Sequence, residues 1–333
     1  MTRLLLAGTG LIGARHLAHI LADPELTLAG VIDPAPGIPV AAPLWDRIED
    51  VDVATDGIVI ATPTETHAPL AVAAAARGWH ALVEKPVAHD LAAADVIAEA
   101  AARHGTRVLV GHHRRHHPRV AAAKALLDDG AIGRVVAASL MWCVRKPDAY
   151  FDTPWRAGPE GGPIRLNLIH EIDLMRHLLG EVVHVSAHAT APVRGVAARP
   201  EAGGVLLGFA SGATAAIAFA DTAPSPWSFE AATAENPNIA ATHRDNLRLV
   251  GTEGALSFPS LTLWRGAADW SEAPVAERAA CPAGPVPLAA QLHHFAQVIA
   301  GDATPLCTLA DGRAALDVVG RIEACLPAHE VAA

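Results

Sequence analysis

Residues 7–16, Ala-Gly-Thr-Gly-Leu-Ile-Gly-Ala-Arg-His, decide the fold of the first part of this chain. The apolar run 4–7 before the first glycine predicts a buried strand, and apolar residues from Leu11 onward recur at the spacing of an amphipathic helix. A strand, a glycine-rich turn and a helix in this order form the dinucleotide-binding fingerprint. The sequence therefore predicts a nucleotide-binding unit here.

The glycines of this fingerprint have distinct predicted roles. Gly8 permits the tight turn, Gly10 lets the backbone approach a pyrophosphate, and Gly13 allows close packing of helix on strand. Leu11 and Ile12 begin the helix, where free backbone N–H groups at its positive end bind a diphosphate.

An acidic residue ends the second predicted strand, 26–32. Asp33 lies twenty residues after Gly13, and a carboxylate there accepts hydrogen bonds from the ribose hydroxyls and repels a 2′-phosphate. Residues 34–37, Pro-Ala-Pro-Gly, offer no Lys or Arg to bind such a phosphate. We therefore predict NAD as the cofactor, with NADP as the less favoured alternative. Asp33 could instead be a turn-initiating acid before Pro34.

Composition excludes several classes of protein. The 333 residues suffice for one large or two medium domains, and no apolar run reaches the roughly 20 residues of a membrane helix. The start of the chain lacks the features of a secretory signal, and the four cysteines are scattered, which fits a reducing cytoplasm. A net charge of −10 argues against nucleic acid. We expect a cytoplasmic protein with neither a nucleic-acid nor a membrane partner.

Strand and helix patterns alternate up to about residue 118, which is typical of βαβ units. Strand-like runs lie at 58–61, 81–83 and 108–110, and helix-like segments at 68–76 and 91–102. Four prolines between residues 34 and 43 predict that the second crossover helix is reduced to one or two turns. We assign residues 1–118 to an α/β domain, a doubly wound parallel Rossmann sheet.

The pattern changes after Pro118. A helix at 120–127 precedes alternating β-type segments, which one helix at 168–179 interrupts and a helix pair from residue 288 follows. The β-type segments are 135–144, 182–190, 205–209, 213–219, 246–250 and 255–263. Residues 119–333 are therefore predicted to form an α+β domain with a mostly antiparallel open sheet.

Glu84-Lys85-Pro86 ends the fourth strand predicted in the first domain. Ligands of open parallel sheets bind beyond the carboxyl ends of the strands, so Lys85 is predicted to face the nicotinamide. A lysine buried beside a cofactor has a lowered pKa and can exchange a proton with an alcohol oxygen. The alternative is a surface lysine before a turn proline.

A histidine-rich segment, Gly-His-His-Arg-Arg-His-His-Pro at 111–118, ends the fifth strand. Imidazoles at this spacing can share a metal ion, but the interleaved arginines would repel a cation, so no metal site is predicted. We interpret His112, His113 and Arg114 as lining a polar substrate site. A structural hinge between domains is the alternative.

His170 and Asp173 stand three residues apart in a predicted helix and therefore share one of its faces. A histidine that a carboxylate orients can act as the acid or base that moves a hydroxyl proton. The alternative is a histidine satisfied in the core.

Together these motifs resemble the Gfo/Idh/MocA family, the relatives of glucose–fructose oxidoreductase and inositol dehydrogenase. The resemblance preserves motif order over nearly the whole chain, and it rests on residues 7–16, Ala61-Thr62-Pro63-Thr64 with His67, residues 84–86, residues 111–118, Trp155-Arg156, and Gly161-Gly162 followed by residues 170–173. It implies a Rossmann domain joined to an α/β domain whose open sheet often serves as an oligomer interface. It also implies NAD(P)-dependent oxidation of sugars and polyols, or reduction of the corresponding ketones.

The resemblance assigns roles to single residues. Lys85 and His170 correspond to the family's active-site lysine and histidine. Glu84 lies near the nicotinamide ribose, and the residues that border the adenosine side are Thr62, Pro63 and His67.

One position departs from the family pattern. Many polyol dehydrogenases of the family have an aspartate four residues before the active-site histidine, where this chain has Leu166. Either Asp173 or Asn167 then orients His170, or the proton travels mainly through Lys85.

The second half adds residues suited to a sugar site, namely Trp142, Arg145, Tyr150, Trp155 and Arg156. Segment 226–243 is unusually polar, and it is either a substrate-capping or subunit-contact loop or an ordinary surface excursion.

The sequence thus predicts an NAD-dependent dehydrogenase that oxidises a secondary hydroxyl of a sugar, polyol or related hydroxylated ring. It is expected to form a homodimer or homotetramer through its C-terminal sheet. The alternatives are an NAD(P)H-dependent keto-sugar reductase, a cyclic dihydrodiol dehydrogenase, and a non-catalytic regulator that senses NAD and sugar. The regulator is disfavoured because Lys85 and His170 are both present.

Overall fold

The computed structural model describes residues 1–158, 161–194, 199–281 and 283–326. Its strands are β1 (Thr2–Ala7), β2 (Leu26–Ile32), β3 (Leu44–Trp45), β4 (Gly57–Ile60), β5 (His80–Val83), β6 (Val108–Val110), β7 (Val135–Cys143), β8 (Val182–Ala189), β9 (Ala202–Phe209), β10 (Thr214–Ala220), β11 (Leu247–Gly251), β12 (Ala255–Phe258), β13 (Thr262–Arg265) and β14 (Val275–Arg278). Its α-helices are α1 (Leu11–Ala22), α2 (His67–Ala76), α3 (Leu91–His104), α4 (Pro118–Asp128), α5 (Pro154–Ala157), α6 (Ile169–Leu179), α7 (Phe229–Thr233), α8 (Pro287–Ala300) and α9 (Leu309–Cys325).

The chain divides into two compact units. The first comprises residues 1–117 and 285–317, and the second comprises the described residues of 118–284 and those from 318 on. Segment 285–317, which the sequence-based division assigned to the second domain, lies by its contacts in the first unit. The reason is hydrophobic burial, because Leu292 and Phe295 of α8 are fully buried in the core of the first sheet.

The first unit is built on a six-stranded parallel sheet in the order β3-β2-β1-β4-β5-β6. Leu4, Leu5 and Leu6 of β1 are fully buried, as expected for a parallel strand that is covered on both faces. Strand order reverses between β1 and β4, and such a switch point is where open α/β sheets bind ligands. The predicted Rossmann sheet is confirmed.

The second crossover is as short as the prolines predict. Between β2 and β4 the chain forms only the two-residue strand β3 and one turn of 3-10 helix, Ile48–Asp50. This connection therefore contains no α-helix that covers the carboxyl end of β2, where Asp33 lies.

The second unit contains an eight-stranded sheet in the order β14-β13-β12-β11-β7-β10-β9-β8. All neighbouring pairs are antiparallel except β7 and β10, which run parallel. Burial alternates along β10, so one face of the sheet is packed and the other is exposed. This confirms the predicted mostly antiparallel sheet. Within the described residues, no helix is both long and apolar enough to cross a membrane.

The single β-type segment predicted at 255–263 is wrong. Residues 259–261 form a turn, and β12 and β13 on either side pair antiparallel, with Ala255 opposite Trp264. Pro259 cannot donate a ladder hydrogen bond, and Ser260 donates to Asp245 through its backbone N–H at 2.8 Å and its hydroxyl at 2.9 Å. Strand β14 was not predicted because all four of its residues are exposed and show no apolar alternation.

The polar segment 226–243 contains a buried turn of helix. Ser228 caps α7 by accepting a hydrogen bond from the backbone N–H of Ala231 at 3.1 Å. Phe229 is fully buried and stacks on Phe258 with ring centres 5.7 Å apart. The interpretation of the whole segment as a surface loop is therefore wrong for residues 229–232, because an apolar anchor follows the cap.

The assignment of α8 to the first unit predicts a large effect of Phe295→Ala. Removing this fully buried ring should lower the free energy of unfolding by about 3–5 kcal/mol, since a cavity is left in the core. Leu21→Ala is the control, because Leu21 is 67% exposed and should change stability by less than about 0.5 kcal/mol. Urea unfolding followed by circular dichroism measures both, and equal effects would contradict the assignment.

Candidate active site

The glycine turn after β1 has the geometry that each glycine was predicted to supply. Gly8 has φ +87°, and a Cβ there would lie 2.6 Å from the carbonyl oxygen of Ala61. A Cβ on Gly13 would lie 2.1 Å from the carbonyl oxygen of Gly8. Gly10, the residue before α1, has no atom within 4 Å of its Cβ position, so the approach to the helix N-terminus is open.

The first backbone N–H groups of α1 lie beside this opening, and those of the first turn have no acceptor within the helix. Leu11 is 76% exposed, whereas Ile12 packs partly against the core. The turn can therefore hold the diphosphate of a dinucleotide, with the macrodipole of α1 favouring the negative charge.

Asp33 is held beside this turn by hydrogen bonds. Its Oδ2 accepts from the backbone N–H of Thr9 at 2.7 Å and from the Thr9 hydroxyl at 2.6 Å, and its Oδ1 accepts from the N–H of Ala35 at 2.9 Å. Partial burial raises the pKa of Asp33, but the bonds from Thr9 and Ala35 outweigh it and hold the pKa below its ordinary value. Asp33 is thus a fixed carboxylate, ionised at neutral pH, with lone pairs left for further donors.

His67, at the start of α2, connects the loop that follows β4 with the loop that follows β5. It is 1% exposed, and its ring nitrogens lie 3.0 Å from the carbonyl oxygen of Thr62 and 2.9 Å from that of Pro86. Burial lowers the pKa of His67 despite both carbonyls, and a neutral ring carries only one N–H to donate. The structure therefore places Thr62, Pro63 and His67 together. The His67 side chain is buried between these loops and is not on the protein surface.

Glu84 forms a buried pair with His16 of α1. His16 is fully buried and Glu84 is 4% exposed, and Nε2 of His16 lies 2.8 Å from Oε1 of Glu84. Burial raises the pKa of Glu84, but the hydrogen bond and charge of His16, with His113 and Lys85 adding to them, lower it to about 2. Because an ionised carboxylate only accepts, Nε2 of His16 is the donor.

This pair also fixes the loop that carries Lys85. The backbone N–H of Lys85 donates to Oε2 of Glu84 at 3.1 Å. A Cβ on Gly111 would lie 2.9 Å from the same oxygen, so the loop after β6 packs directly on the carboxylate. Lys85 is half-buried, at the carboxyl end of β5, in the position predicted for it.

The histidine-rich segment after β6 is buried. His112, His113 and Arg114 are 1%, 8% and 3% exposed, and residues 113–116 form a turn of 3-10 helix. Arg115 donates to the carbonyl oxygen of Leu306 at 2.9 Å and to Asp311 at 3.2 Å, so it anchors the segment within the first unit. His113 lies close enough to Glu84 to contribute to the lowered pKa of that carboxyl.

In the second unit, Asn167 and His170 stand at the junction of a π-helical turn, Ile164–Leu168, and α6. Such turns within helices are frequent at functional sites. His170 is 7% exposed and Asp173, one turn later, is 1% exposed. Oδ1 of Asn167 is buried and has no hydrogen-bond partner among the described residues.

Trp155 and Arg156 lie on the short helix α5, and Trp155 is 54% exposed. The Arg156 guanidinium stacks on the Tyr150 ring, with Cζ 4.5 Å from the ring centre. Arg145, expected to contribute to a sugar site, is instead exposed and lies 3.6 Å from the exposed Asp148. The residue after it, Lys146, is the one that points inward.

Three residues of these groups were not identified from sequence. Thr9 and His16 belong to the fingerprint segment itself, but the motif describes only its glycines. Helical spacing offered a signal for His16, since it follows Gly13 by three residues on α1. No sequence signal identified Lys146, because only the tertiary structure shows which of the adjacent cations Arg145 and Lys146 is buried.

Comparison with known proteins follows the same division of the chain. A family model described as an oxidoreductase family with an NAD-binding Rossmann fold matches residues 2–112. A second model, the GFO/IDH/MocA C-terminal domain, matches residues 120–257.

Curated relatives include inositol 2-dehydrogenases. That of Rhizobium meliloti strain 1021 is 32% identical over 225 residues, which cover 64% of this chain and 66% of that protein. Inositol 2-dehydrogenase 4 of Saccharopolyspora erythraea is 32% identical over 213 residues, which cover 57% of this chain and 59% of that protein. The chain thus spans about two thirds or less of the length of these relatives.

Solved structures share the fold over nearly the whole chain. An oxidoreductase from Agrobacterium radiobacter, in complex with NAD+, L-tartaric acid and magnesium, has a TM-score of 0.80 at 18% identity and covers 97% of this chain and 96% of its own. A myo-inositol dehydrogenase from Corynebacterium glutamicum has a TM-score of 0.73 at 24% identity and covers 98% and 96%.

The Glu84–His16 pair predicts a pH-dependent contribution to stability. The folded pKa of Glu84, about 2, lies below its ordinary 4.5. The stabilisation is therefore fully present above pH 4.5 and is lost as pH falls toward 2. Glu84→Gln should lower the free energy of unfolding by on the order of 3 kcal/mol at pH 7, and by less at pH 3.

Urea unfolding of wild type and Glu84→Gln at both pH values measures this difference. Glu99→Gln, an exposed carboxylate of α3, is the matched control and should have little effect at either pH. A Glu84→Gln effect of equal size at pH 7 and pH 3 would show that the carboxylate is not held ionised.

Proposed function

This chain belongs to the Gfo/Idh/MocA family of oxidoreductases, and from that membership and the geometry of its sites we propose that it is an NAD-dependent dehydrogenase. Its proposed substrate is a secondary alcohol of a sugar, a polyol or a related hydroxylated ring. Oxidation removes a hydride from the carbinol carbon and a proton from the hydroxyl oxygen, and leaves a ketone.

The observation that carries this proposal is the position of Lys85. It lies two residues after β5, on the same carboxyl edge at which β1 leads into the open turn at Gly10. Ligands of such sheets bind along this edge, near the switch point between β1 and β4. A lysine at this position can therefore reach the reacting end of a nucleotide whose diphosphate lies on α1.

The residues of the first unit fit the proposed cofactor. The glycine turn leaves room for a diphosphate, and the fixed carboxylate of Asp33 follows β2. We assign Asp33 to the ribose hydroxyls, and its charge would repel a 2′-phosphate, which supports NAD over NADP. Thr62, Pro63 and His67 are assigned to the adenosine side, and Glu84 to the nicotinamide ribose.

When bound, NAD supplies the acceptor for the hydride. Lys85 accepts the hydroxyl proton, and Glu84 holds the loop of Lys85 through the backbone N–H. His170 is assigned to the same proton transfer, and Asp173 or Asn167, on the neighbouring turns, orients it. We assign substrate binding to His112, His113 and Arg114 in the first unit and to Trp155 and Arg156 in the second.

The proposal includes self-association through the eight-stranded sheet. Its exposed face presents small and apolar side chains, among them Ala216, Ala218 and Leu206, which is 46% exposed. A flat face of this composition suits packing against a second copy of the chain. We therefore retain a homodimer or homotetramer as the expected assembly.

Asp33→Ser tests the cofactor assignment. Loss of the carboxylate should lower kcat/KM with NAD by about tenfold or more, because a charge-assisted hydrogen bond contributes about 1.5–3 kcal/mol. The kcat/KM with NADP should rise, because the repulsion is removed. Asp46→Ser, at an exposed acid of the same unit, is the control. An unchanged ratio of NAD to NADP efficiency would contradict the role of Asp33.

Lys85→Met tests the proton acceptor. Turnover across a panel of inositols, aldoses and sugar acids should fall by at least about 100-fold, while NADH binding, followed by fluorescence, stays intact. Lys124→Met, at a half-buried lysine of α4 that pairs with the exposed Asp128, should leave both unchanged. A normal kcat in Lys85→Met would remove this lysine from the mechanism.

A further inference from the structure

Lys146 is a buried lysine that follows β7 in the second unit. It is 9% exposed, and burial lowers its pKa to about 8 against the opposing effect of Asp221. At pH 7 the amine is therefore mostly protonated. A buried ammonium group is unfavourable unless its charge is paired and its N–H groups are hydrogen-bonded.

The carboxylate nearest to Lys146 is already engaged. Oδ1 of Asp221 accepts from Nη1 of Arg194 at 2.8 Å, and its Oδ2 accepts from Nη1 of Arg199 at 2.9 Å. Nζ of Lys146 lies 3.7 Å from Oδ2, which is beyond hydrogen-bond distance. Among the described residues, Nζ has no hydrogen-bond acceptor. Nζ also lies 5.0 Å from the centre of the Tyr150 ring and 5.7 Å from that of the Trp142 ring.

Arg156 approaches the same ring. Its Cζ lies 4.5 Å from the centre of the Tyr150 ring, and its Nη1 lies 3.4 Å from the Tyr150 carbonyl oxygen. Its Nε is buried and has no acceptor in the described parts of the chain. Two cationic side chains therefore share one aromatic ring, and each has a buried donor that no group of the described residues satisfies.

The carboxylates near this ring are engaged by other groups. The two remaining carboxylates are engaged, since Glu230 accepts from Nε1 of Trp142 at 3.1 Å and Glu201 accepts from the backbone N–H of Arg194 at 2.8 Å. The buried and half-buried charged side chains of this group are four cations and three carboxylates, namely Lys146, Arg156, Arg194, Arg199, Glu201, Asp221 and Glu230. With the exposed Asp148, whose Oδ1 lies 3.6 Å from Nε of Arg194, the cations and carboxylates are equal in number. It is therefore the unsatisfied donors of Lys146 and Arg156, and not a surplus charge, that favour an anion.

We propose that Lys146 and Arg156 form a subsite for a carboxylate of the substrate, so that the protein acts on a sugar acid and not on a neutral sugar or cyclic polyol. This inference rests on the proposed function, in which Arg156 binds the substrate. Nζ of Lys146 and Nε of Arg156 each donate to a carboxylate oxygen, and charge-assisted bonds of this kind are the strong ones. Two donors match the two oxygens of a carboxylate, whereas a phosphate would present three acceptor oxygens to them.

Calorimetric titration of the NADH-saturated protein tests this subsite. The ligands are three pairs, each an acid and its neutral counterpart: D-glucuronate and D-glucose, D-galacturonate and D-galactose, D-gluconate and D-glucitol. We expect at least one acid to bind tenfold or more tighter than its partner. Absence of such a preference in every pair overturns the proposal, and preferential binding of glucose 6-phosphate overturns the carboxylate assignment.

Variants of Lys146 locate the preference. Lys146→Met should abolish it, Lys146→Arg should retain it in part, and the control Lys124→Met should leave it unchanged. Circular dichroism and NADH binding report whether each variant is folded. If Lys146→Met does not fold, Lys146→Gln takes its place, and an unchanged preference in a folded neutral variant would remove Lys146 from the subsite.

Turnover with NAD separates this inference from the proposed function. Oxidation of neutral sugars with no preference for acids would support the proposed dehydrogenase activity and contradict the carboxylate subsite. A tenfold preference for acids in binding, without turnover of any acid, would support the carboxylate subsite and contradict the proposed dehydrogenase activity.

Discussion

The approach of Gly13 to the carbonyl oxygen of Gly8 is the contact on which the candidate site of the first unit depends. A side chain at residue 13 would place its Cβ 2.1 Å from that oxygen, so only glycine lets α1 begin so close to the end of β1. This start sets the direction of α1 and thereby the position of His16 one turn later. His16 in turn holds Glu84, and Glu84 holds the backbone of Lys85. The steric constraint in the turn after β1 thus helps to position the proposed catalytic lysine, through the hydrogen bonds from His16 to Glu84 and from Lys85 to Glu84.

The two units use buried charge differently. In the first, Glu84 is enclosed by protein donors and Asp33 is partly satisfied by them, and both carboxylates are held ionised with depressed pKa values. In the second, both oxygens of Asp221 accept hydrogen bonds, but Nζ of Lys146 beside it has no acceptor among the residues that the structure describes. Buried polar groups without partners are rare in folded proteins, and they cluster where a ligand supplies the partner. The first arrangement therefore stabilises a loop, and the second favours an anion.

Local patterns predicted most of the elements, because β1, β2, β4, β5, β6 and their helices carry strong apolar patterns. The two-residue strand β3 was not predicted. The errors occur where periodicity does not describe the physical cause. Pro259 and the hydrogen bonds that Ser260 donates to Asp245 break an apolar run into two strands. Strand β14 pairs through its backbone, and its side chains are all exposed. Phe229 is buried in the core although the segment around it is polar. A prediction based on the average polarity of a segment cannot identify one buried ring.

The sequence by itself determined the parallel sheet, the glycine turn, the acid after β2 and the lysine after β5, because each depends on residue type at fixed spacing along the chain. The tertiary structure alone decided which polar groups meet. His16 lies 68 residues from Glu84, and Lys146 lies 75 residues from Asp221, so no local pattern links them. The same holds for the choice between Arg145 and Lys146. Which of two adjacent cations is buried depends on how β7 ends and on what packs against it, and that is a property of the folded chain.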